Sequence, residues 1–211
     1  MLNIVGLNEY AALANGTIHC WLCQKGVTTR ALFCHHCGTI QPVRELDHFA
    51  RLGIERRLDI DMEHLEHQYA ALSRTLDPQR FLIRGIGERG YAAKQIEALN
   101  AAYDTLSEPL KRGRYWLSLH SQESGKATEP HPVIKELRSD LDRAAEPAQC
   151  DRVAHKAGHA LEQGIMGLMQ ALRGQDWPRA NAQLHELDGL EHILGAVRVK
   201  RAELVPAGKG S

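Results

Sequence analysis

Residues 20–37 read CWLCQKGVTTRALFCHHC and contain two Cys-x-x-Cys pairs, Cys20 with Cys23 and Cys34 with Cys37. A Cys-x-x-Cys turn can direct both sulfur atoms at one point, so two such turns can supply four thiolates to a tetrahedral metal ion. This pattern predicts one structural Zn²⁺ ion. A mononuclear iron in the same ligand set and a reversible disulfide are the alternatives. Four protein ligands leave no coordination position open for water or substrate, so such a site stabilises a small module and does not catalyse.

The spacer between the two cysteine pairs favours β structure. It runs from Gln24 to Phe33, and its segment from Gly26 to Arg30 is typical of a turn followed by a short strand. Turn residues and Pro42 follow the second pair. We therefore predict a small zinc-bound β-hairpin module over residues 20–43.

The composition gives no sign of a nucleic-acid or membrane partner. Lys plus Arg and Asp plus Glu each total 26 among the 211 residues, so the formal net charge is zero. No apolar run approaches the roughly 20 residues that cross a bilayer. Residues 1–15 lack the basic start of a signal peptide. Four cysteines in one metal site and a single distant Cys150 suit a reducing compartment, so we predict a cytoplasmic protein.

Beyond residue 43 the apolar residues recur at helical spacing. One stripe begins after Asp59 and predicts a helix that ends near Arg74, and a second predicts an antiparallel partner helix. Pro78 and several glycines separate the two helices, and Pro109 opens a short third helix. The two stripes are Met62, Leu65, Tyr69 and Leu72, then Ala92, Ile96, Leu99, Tyr103 and Leu106.

The last third of the chain predicts a three-helix bundle after a polar linker. The linker contains Gly125, Pro130 and Pro132 and shows no apolar period, which indicates a domain boundary. Three further stripes rich in leucine follow it. The chain contains no phosphate-binding loop and no nucleophile elbow, so we do not predict an enzyme.

Several segments resemble the HscB-type J-domain co-chaperones of iron–sulfur cluster assembly. A helical hairpin, a proline-containing loop and a short last helix form the layout of a J domain. Residues 99–106, LNAAYDTL, resemble its third helix, and residues 108–120, EPLKRGRYWLSLH, and 47–53, DHFARLG, are similar to the HscB type. Residues 137–142, LRSDLD, resemble the start of that family's C-terminal bundle. Some members also carry a four-cysteine module that ends like residues 33–42, FCHHCGTIQP.

The resemblance implies a mainly α fold with a small zinc-bound β-hairpin module, a J-like helical hairpin domain and a C-terminal three-helix bundle. The expected parts of the chain are an N-terminal extension 1–19, the four-cysteine module 20–43, the J-like domain 44–121, a linker 122–131, the bundle 132–205 and a tail 206–211.

The resemblance also implies a chaperone-binding loop, and here the chain departs from the family. J domains stimulate the ATPase of a DnaK-type chaperone through a His-Pro-Asp tripeptide, where this chain has Asp77-Pro78-Gln79 followed by Arg80. Asp77 replaces a donor by a charged acceptor, and Gln79 lacks the carboxylate that pairs with a chaperone arginine. We expect weakened or lost ATPase stimulation. Contact made elsewhere on the chain is the alternative.

In this family the C-terminal bundle binds the scaffold protein on which the cluster is built. Carried over by position, Glu136 and Arg138 are the expected client-binding residues, whereas Leu137 shares a stripe with Leu141 and belongs to the core. Pro132 falls where the family has a large apolar residue. A bundle that serves only as a spacer is the alternative.

The implied function is a non-enzymatic, co-chaperone-like adaptor that delivers an iron–sulfur scaffold protein to a DnaK-type chaperone. One alternative is a degenerate J-like zinc protein that acts as a regulatory or protein-interaction module. Another is a zinc-ribbon nucleic-acid binder, for which Lys25 and Arg30 supply little positive charge. We expect neither a nucleic-acid nor a membrane partner, and we leave self-association open.

Overall fold

The computed structural model describes residues 16–81, 85–120 and 131–204. The chain divides into two compact units, Met1–Glu108 and Pro109–Ser211. Most of the predicted N-terminal extension and linker, and the whole of the predicted tail, lie outside the described residues. The boundaries given for these segments therefore stay predictions.

From residue 16 onward, the first described element of the first unit is a two-stranded antiparallel sheet made of β1 (Thr17–His19) and β2 (Gly26–Thr28). Ile18 lies opposite Val27, and Val27 is buried beside Cys20 and Cys34. The hairpin therefore encloses the first cysteine pair, and its first strand precedes Cys20. Such a small apolar core cannot hold a fold by itself, so this module depends on its cysteine cluster.

Among the residues that the structure describes, three helices and a short 3₁₀ helix follow the sheet in the first unit. Asp61 sets the start of the second helix slightly after Asp59, because its carboxylate accepts the N–H of His64 at 3.2 Å. Gly53 ends the first helix in the left-handed region, at φ 69°. The elements are α1 (His48–Leu52), α2 (Met62–Thr75), the 3₁₀ helix (Pro78–Phe81) and α3 (Ile86–Ser107).

Helices α2 and α3 pack against each other as the predicted hairpin. The rings of Tyr69 and Tyr103 stack with their centroids 4.1 Å apart, and the Tyr69 hydroxyl donates to Asn100 Oδ1 at 3.0 Å. The apolar side chains buried around this hairpin are Phe49, Leu52, Leu65, Leu76, Phe81, Ala92, Leu99, Ala102 and Leu106. The predicted fold class, mainly α with a small hairpin at the cysteines, is confirmed.

The second unit is entirely helical over its described residues. The three helices predicted for the bundle are all present, and the two longest pack along each other. The short helix that opens at Pro109 is predicted as part of the J-like domain, but it belongs to this unit and packs against both of the long helices. The helices are α4 (Pro109–His120), α5 (Pro132–Arg143), α6 (Pro147–Arg173) and α7 (Trp177–Leu204).

A continuous apolar core joins α5, α6 and α7. Its buried side chains include Leu137, Leu141, Cys150, Leu190 and Ile193. Cys150 is fully buried there and is therefore an ordinary core residue of the bundle. No helix within the described ranges has both the length and the apolar character that a bilayer crossing requires.

Candidate metal centre and partner-facing residues

Each cysteine pair lies in a backbone turn that is closed by the same type of hydrogen bond. The N–H of Gln24 donates to the carbonyl of Cys20 at 3.0 Å, and the N–H of Gly38 donates to the carbonyl of Cys34 at 2.8 Å. Gln24 and Gly38 both lie in the left-handed region, at φ 59° and 73°. Glycine takes this conformation freely, whereas glutamine does so at a cost. Each turn thus directs its two sulfur atoms toward the other pair.

The structure brings the four predicted ligand residues together. All four Sγ atoms lie within 4.8 Å of one another, with 3.8 Å between those of Cys20 and Cys37 and 3.6 Å between those of Cys23 and Cys34. A tetrahedral ion with bonds of about 2.3 Å to sulfur needs sulfur separations of about 3.8 Å. The donor set therefore fits a tetrahedral metal ion. All four cysteines are free, and these separations are too long for a disulfide.

The local environment favours one thiolate and disfavours another. Burial opposes ionisation of Cys20, but the N–H groups of Cys23 and Leu22 and the amide of Gln41 outweigh it and lower the pKa of its thiol to about 6. The N–H of Thr39 favours the Cys37 thiolate, but burial and the neighbouring sulfur atoms raise the pKa of Cys37 to about 12. Four thiolates this close together repel each other, so full ionisation requires a cation among them.

Two further donors, which the cysteine pattern does not predict, contact the sulfur atoms. The Gln41 side-chain amide donates to Cys20 Sγ at 3.4 Å, and the backbone N–H of His36 donates to Cys34 Sγ at the same distance. Gln41 is fully buried. Its position four residues after Cys37 was the only signal available, because the sequence does not show which glutamines are buried.

The cysteine module packs on the helical hairpin within the first unit. The rings of Trp21 and Tyr91 meet edge to face at 5.2 Å, and those of Phe33 and Phe81 stack at 6.4 Å. The hydroxyl of Thr39 donates to Glu88 Oε1 at 2.6 Å. Aromatic contacts of this kind contribute about 0.5–1.5 kcal/mol each beyond the area they bury. The module is therefore fixed to α3 and to the 3₁₀ helix by apolar and polar contacts together.

Asp77, the first residue of the tripeptide, accepts hydrogen bonds from the backbone of the loop that follows α2. Asp77 Oδ1 accepts the N–H of Gln79 at 2.9 Å, and the Asp77 carbonyl accepts the N–H of Arg80 at 3.0 Å. The guanidinium of Arg80 donates to the carbonyl of Arg74 at 3.2 Å. The side chains of Asp77, Gln79 and Arg80 are exposed. This loop presents a carboxylate, an amide and a guanidinium to solvent.

The expected client-binding residues lie on α5 of the second unit. Glu136 and Arg138 are both exposed, and Leu137 between them is buried in the core as expected. Nearby, Asp140 pairs with Lys156 of α6 at 3.0 Å. The hydrogen bond from Lys156 holds the pKa of the Asp140 carboxyl below its usual range. The exposed face of α5 thus carries charges of both signs.

Comparison with known proteins finds clear relatives. The chain is 32% identical over 195 residues to the iron–sulfur cluster co-chaperone protein HscB of Mus musculus, covering 88% of this chain and 83% of that protein. It is 34% identical over 179 residues to the human protein of the same name, covering 82% and 76%. The crystal structure of human co-chaperone protein HscB superposes with a TM-score of 0.74 at 24% identity, over 88% of this chain and all of that one. No family model matches the sequence.

Proposed function

Because this chain belongs to the HscB family of iron–sulfur cluster co-chaperones, we propose that it brings an iron–sulfur scaffold protein to a DnaK-type chaperone. Its role in cluster assembly is that of a co-chaperone. The observation that carries this conclusion is the identity of 32% over 195 residues, which covers 88% of this chain and 83% of the relative. The interaction with each partner, a cytoplasmic location and the lack of an enzymatic activity of its own are parts of the same proposal.

We further propose that this chain stimulates the chaperone ATPase weakly or not at all. The Asp77 carboxylate accepts a hydrogen bond from its own loop, and its charge is opposite to that of a protonated histidine. The Gln79 amide cannot form a bidentate pair with an arginine. Loss of a partner from a buried charge pair costs about 2–5 kcal/mol. A degenerate J-like protein that regulates or holds a partner is the second function that this loop favours.

Single-turnover ATP hydrolysis by the cognate DnaK-type chaperone tests this proposal. We expect little stimulation by the native protein and clear stimulation by the double variant Asp77→His with Gln79→Asp. The matched control is Asp77→His with Gln79→Asn, which restores the imidazole without the carboxylate and should stay weak. Full stimulation by the native protein would overturn the proposed weakening. Stimulation by neither would leave the second function, a partner-holding J-like protein.

We propose that the metal ion is a single Zn²⁺ and that its role is structural. Four thiolates form the ligand set that zinc prefers in closed structural sites. Elemental analysis of the purified protein should give one zinc per chain in the native protein and none in a Cys34→Ser, Cys37→Ser double variant. Iron in place of zinc would overturn the assignment of the ion but keep the ligand set.

We propose that the scaffold protein binds the exposed face of α5 that carries Glu136 and Arg138. Reversal of both charges, Glu136→Lys with Arg138→Glu, should weaken scaffold binding about tenfold or more in a titration by calorimetry. The matched control reverses two exposed charges on α3 of the first unit, Glu97→Lys with Lys94→Glu. Equal affinity of the native protein and the α5 variant would exclude this face.

A further inference from the structure

We propose that helix α3 forms part of the metal centre through two buried glutamines, so that metal affinity and the packing of the cysteine module on α3 depend on each other. Gln41 holds the Cys20 thiolate, and Gln95 of α3 holds Gln41. This inference rests on the proposed metal ion but not on the proposed chaperone partner.

The first link joins Gln41 to the ligand sulfur. Its Nε2 donates both to Cys20 Sγ at 3.4 Å and to the carbonyl of Thr39 at 3.2 Å. The same Thr39 carbonyl accepts the N–H of Cys34, at 2.8 Å. One amide group therefore contacts a ligand of the first cysteine pair and the backbone that positions the second pair.

The second link joins α3 to Gln41. Gln95 Nε2 donates to the main-chain carbonyl of Gln41 at 3.0 Å. Gln95 is 4% exposed and Gln41 is fully buried, so water does not compete for these bonds. The 54 residues that separate the two glutamines make this a tertiary contact between the helical hairpin and the cysteine module.

The chemistry of the acceptors fixes the orientation of both amides. A thiolate and a carbonyl oxygen can only accept hydrogen bonds, so each must face the NH₂ end of its glutamine. Gln41 Oε1 and Gln95 Oε1 are left buried without a partner among the described residues. A methionine of similar size would avoid such an unpaired acceptor. Glutamine therefore suits both positions because of the hydrogen bonds that its NH₂ group donates.

The consequence is a reciprocal coupling. A group that contacts a metal-binding side chain typically changes metal affinity 10–100-fold when it is removed. If Gln95 strengthens metal binding by holding Gln41, the bound metal must strengthen the packing of α3 on the module by the same factor.

Competition with a chromophoric chelator measures the Zn²⁺ affinity of the native full-length protein and its variants. We expect Gln41→Met to weaken Zn²⁺ binding about tenfold or more, and Gln95→Met to weaken it about threefold to tenfold. The double variant should bind no more weakly than Gln41→Met alone, because Gln95 acts through Gln41. Gln68→Met on α2 is the same change at a half-buried glutamine and should leave the affinity unchanged.

The Co²⁺-substituted protein separates a positioning role from a general loss of stability. Removal of an N–H donor from a thiolate should move the sulfur-to-cobalt absorption band of Gln41→Met to lower energy, whereas a destabilised fold would only lower its intensity. Native affinity in Gln95→Met, or strictly additive losses in the double variant, would overturn the coupling. Failure of the native protein to bind Zn²⁺ at all would instead refute the proposed ion.

The coupling between metal binding and α3 packing can also be measured on the native protein, without any variant. Hydrogen exchange of the native chain, with bound Zn²⁺ and after chelation, should show faster exchange of the α3 amides around Gln95 when the metal is removed. The α6 amides serve as the reference. Equal α3 exchange in the two states would overturn the inference.

Discussion

The carboxylate of Asp47 shows how a single residue connects two segments of the first unit. It accepts the N–H of Ala50 at the start of α1, at 2.7 Å, and a guanidinium N–H of Arg56 at 2.5 Å. Partial burial opposes its ionisation, but these donors outweigh burial and hold the pKa of Asp47 below its usual range. Its stabilising effect is therefore present above the unfolded-state pKa of about 3.9 and is lost as the pH falls through the lower folded-state pKa.

An NMR titration of the Asp47 carboxyl carbon tests this assignment. We expect a midpoint below about 3.9 in the native protein and a higher midpoint in Arg56→Gln. The matched control is Arg57→Gln, since Arg57 contacts Glu55 at 3.4 Å and not Asp47. An Asp47 midpoint that is unchanged in Arg56→Gln would contradict the proposal that Arg56 lowers this pKa.

Two glycines on α6 give opposite predictions for the same substitution. A Cβ added at Gly164 would lie 2.7 Å from Cδ2 of the fully buried Leu187, whereas one added at Gly158 meets no atom within 4 Å. We expect Gly158→Ala to stabilise the protein by about 0.5–1 kcal/mol through helix propensity. Gly164→Ala should destabilise it by about 1 kcal/mol, because overpacking of about 1–3 kcal/mol outweighs that gain. Urea denaturation midpoints check both signs, and stabilisation by Gly164→Ala would contradict the tight packing.

At the scale of the elements, the end of α5 is capped by a residue from another helix. Lys200 Nζ on α7 donates to the carbonyls of Leu141 and Asp142 at 2.6 and 2.8 Å. A cation at a helix C-terminus satisfies unpaired carbonyls and interacts favourably with the helix dipole. The position of α5 on the bundle thus depends on α7 as well as on the apolar core.

Removal of this cap should loosen the end of α5. We expect Lys200→Met to destabilise the bundle by about 1–2 kcal/mol, since hydrogen bonds from charged groups contribute about 1.5–3 kcal/mol and the methionine retains part of the packing. Hydrogen exchange should locate the faster amides in α5. The control is Arg198→Met, an exposed change on the same helix. Equal effects of the two substitutions would argue against a cap.

At the scale of the whole molecule, the two units differ in how far their stability is coupled to a metal ion. The first unit contains a cysteine module with a minimal apolar core, and the second has an extended apolar core of its own. Metal binding to a small module is coupled to its folding, because the unfolded chain does not hold a preformed site.

Removal of the metal should therefore act on one unit. We expect a chelator to lower the thermal transition of the first unit by several degrees and to leave that of the second unchanged, as measured by differential scanning calorimetry. A Cys23→Ser variant without chelator should behave like the chelated native protein. A fall of both transitions by the same amount would contradict separate stabilisation of the units.

Much of the fold and part of the candidate site could be predicted from local sequence patterns. The spacing of Cys20, Cys23, Cys34 and Cys37 indicated a single cluster, and the stripes that contain Leu65 and Leu99 indicated two packed helices. Both signals come from residues that are close in sequence, where the backbone geometry of a turn or helix fixes which side chains point the same way. The segments LNAAYDTL and EPLKRGRYWLSLH then indicated the family.

Local patterns thus predict the main helices, the cysteine cluster and the family, whereas tertiary packing decides what each element contacts. Nothing in the spacing of Gln41 and Gln95 indicates that they meet, because their contact depends on how the module packs on α3. The pairing of β1 with β2 and the packing of α4 on α6 and α7 likewise required the folded chain. The physical reason is that burial, which makes a polar contact strong and selective, is a property of the assembled core and not of a local segment.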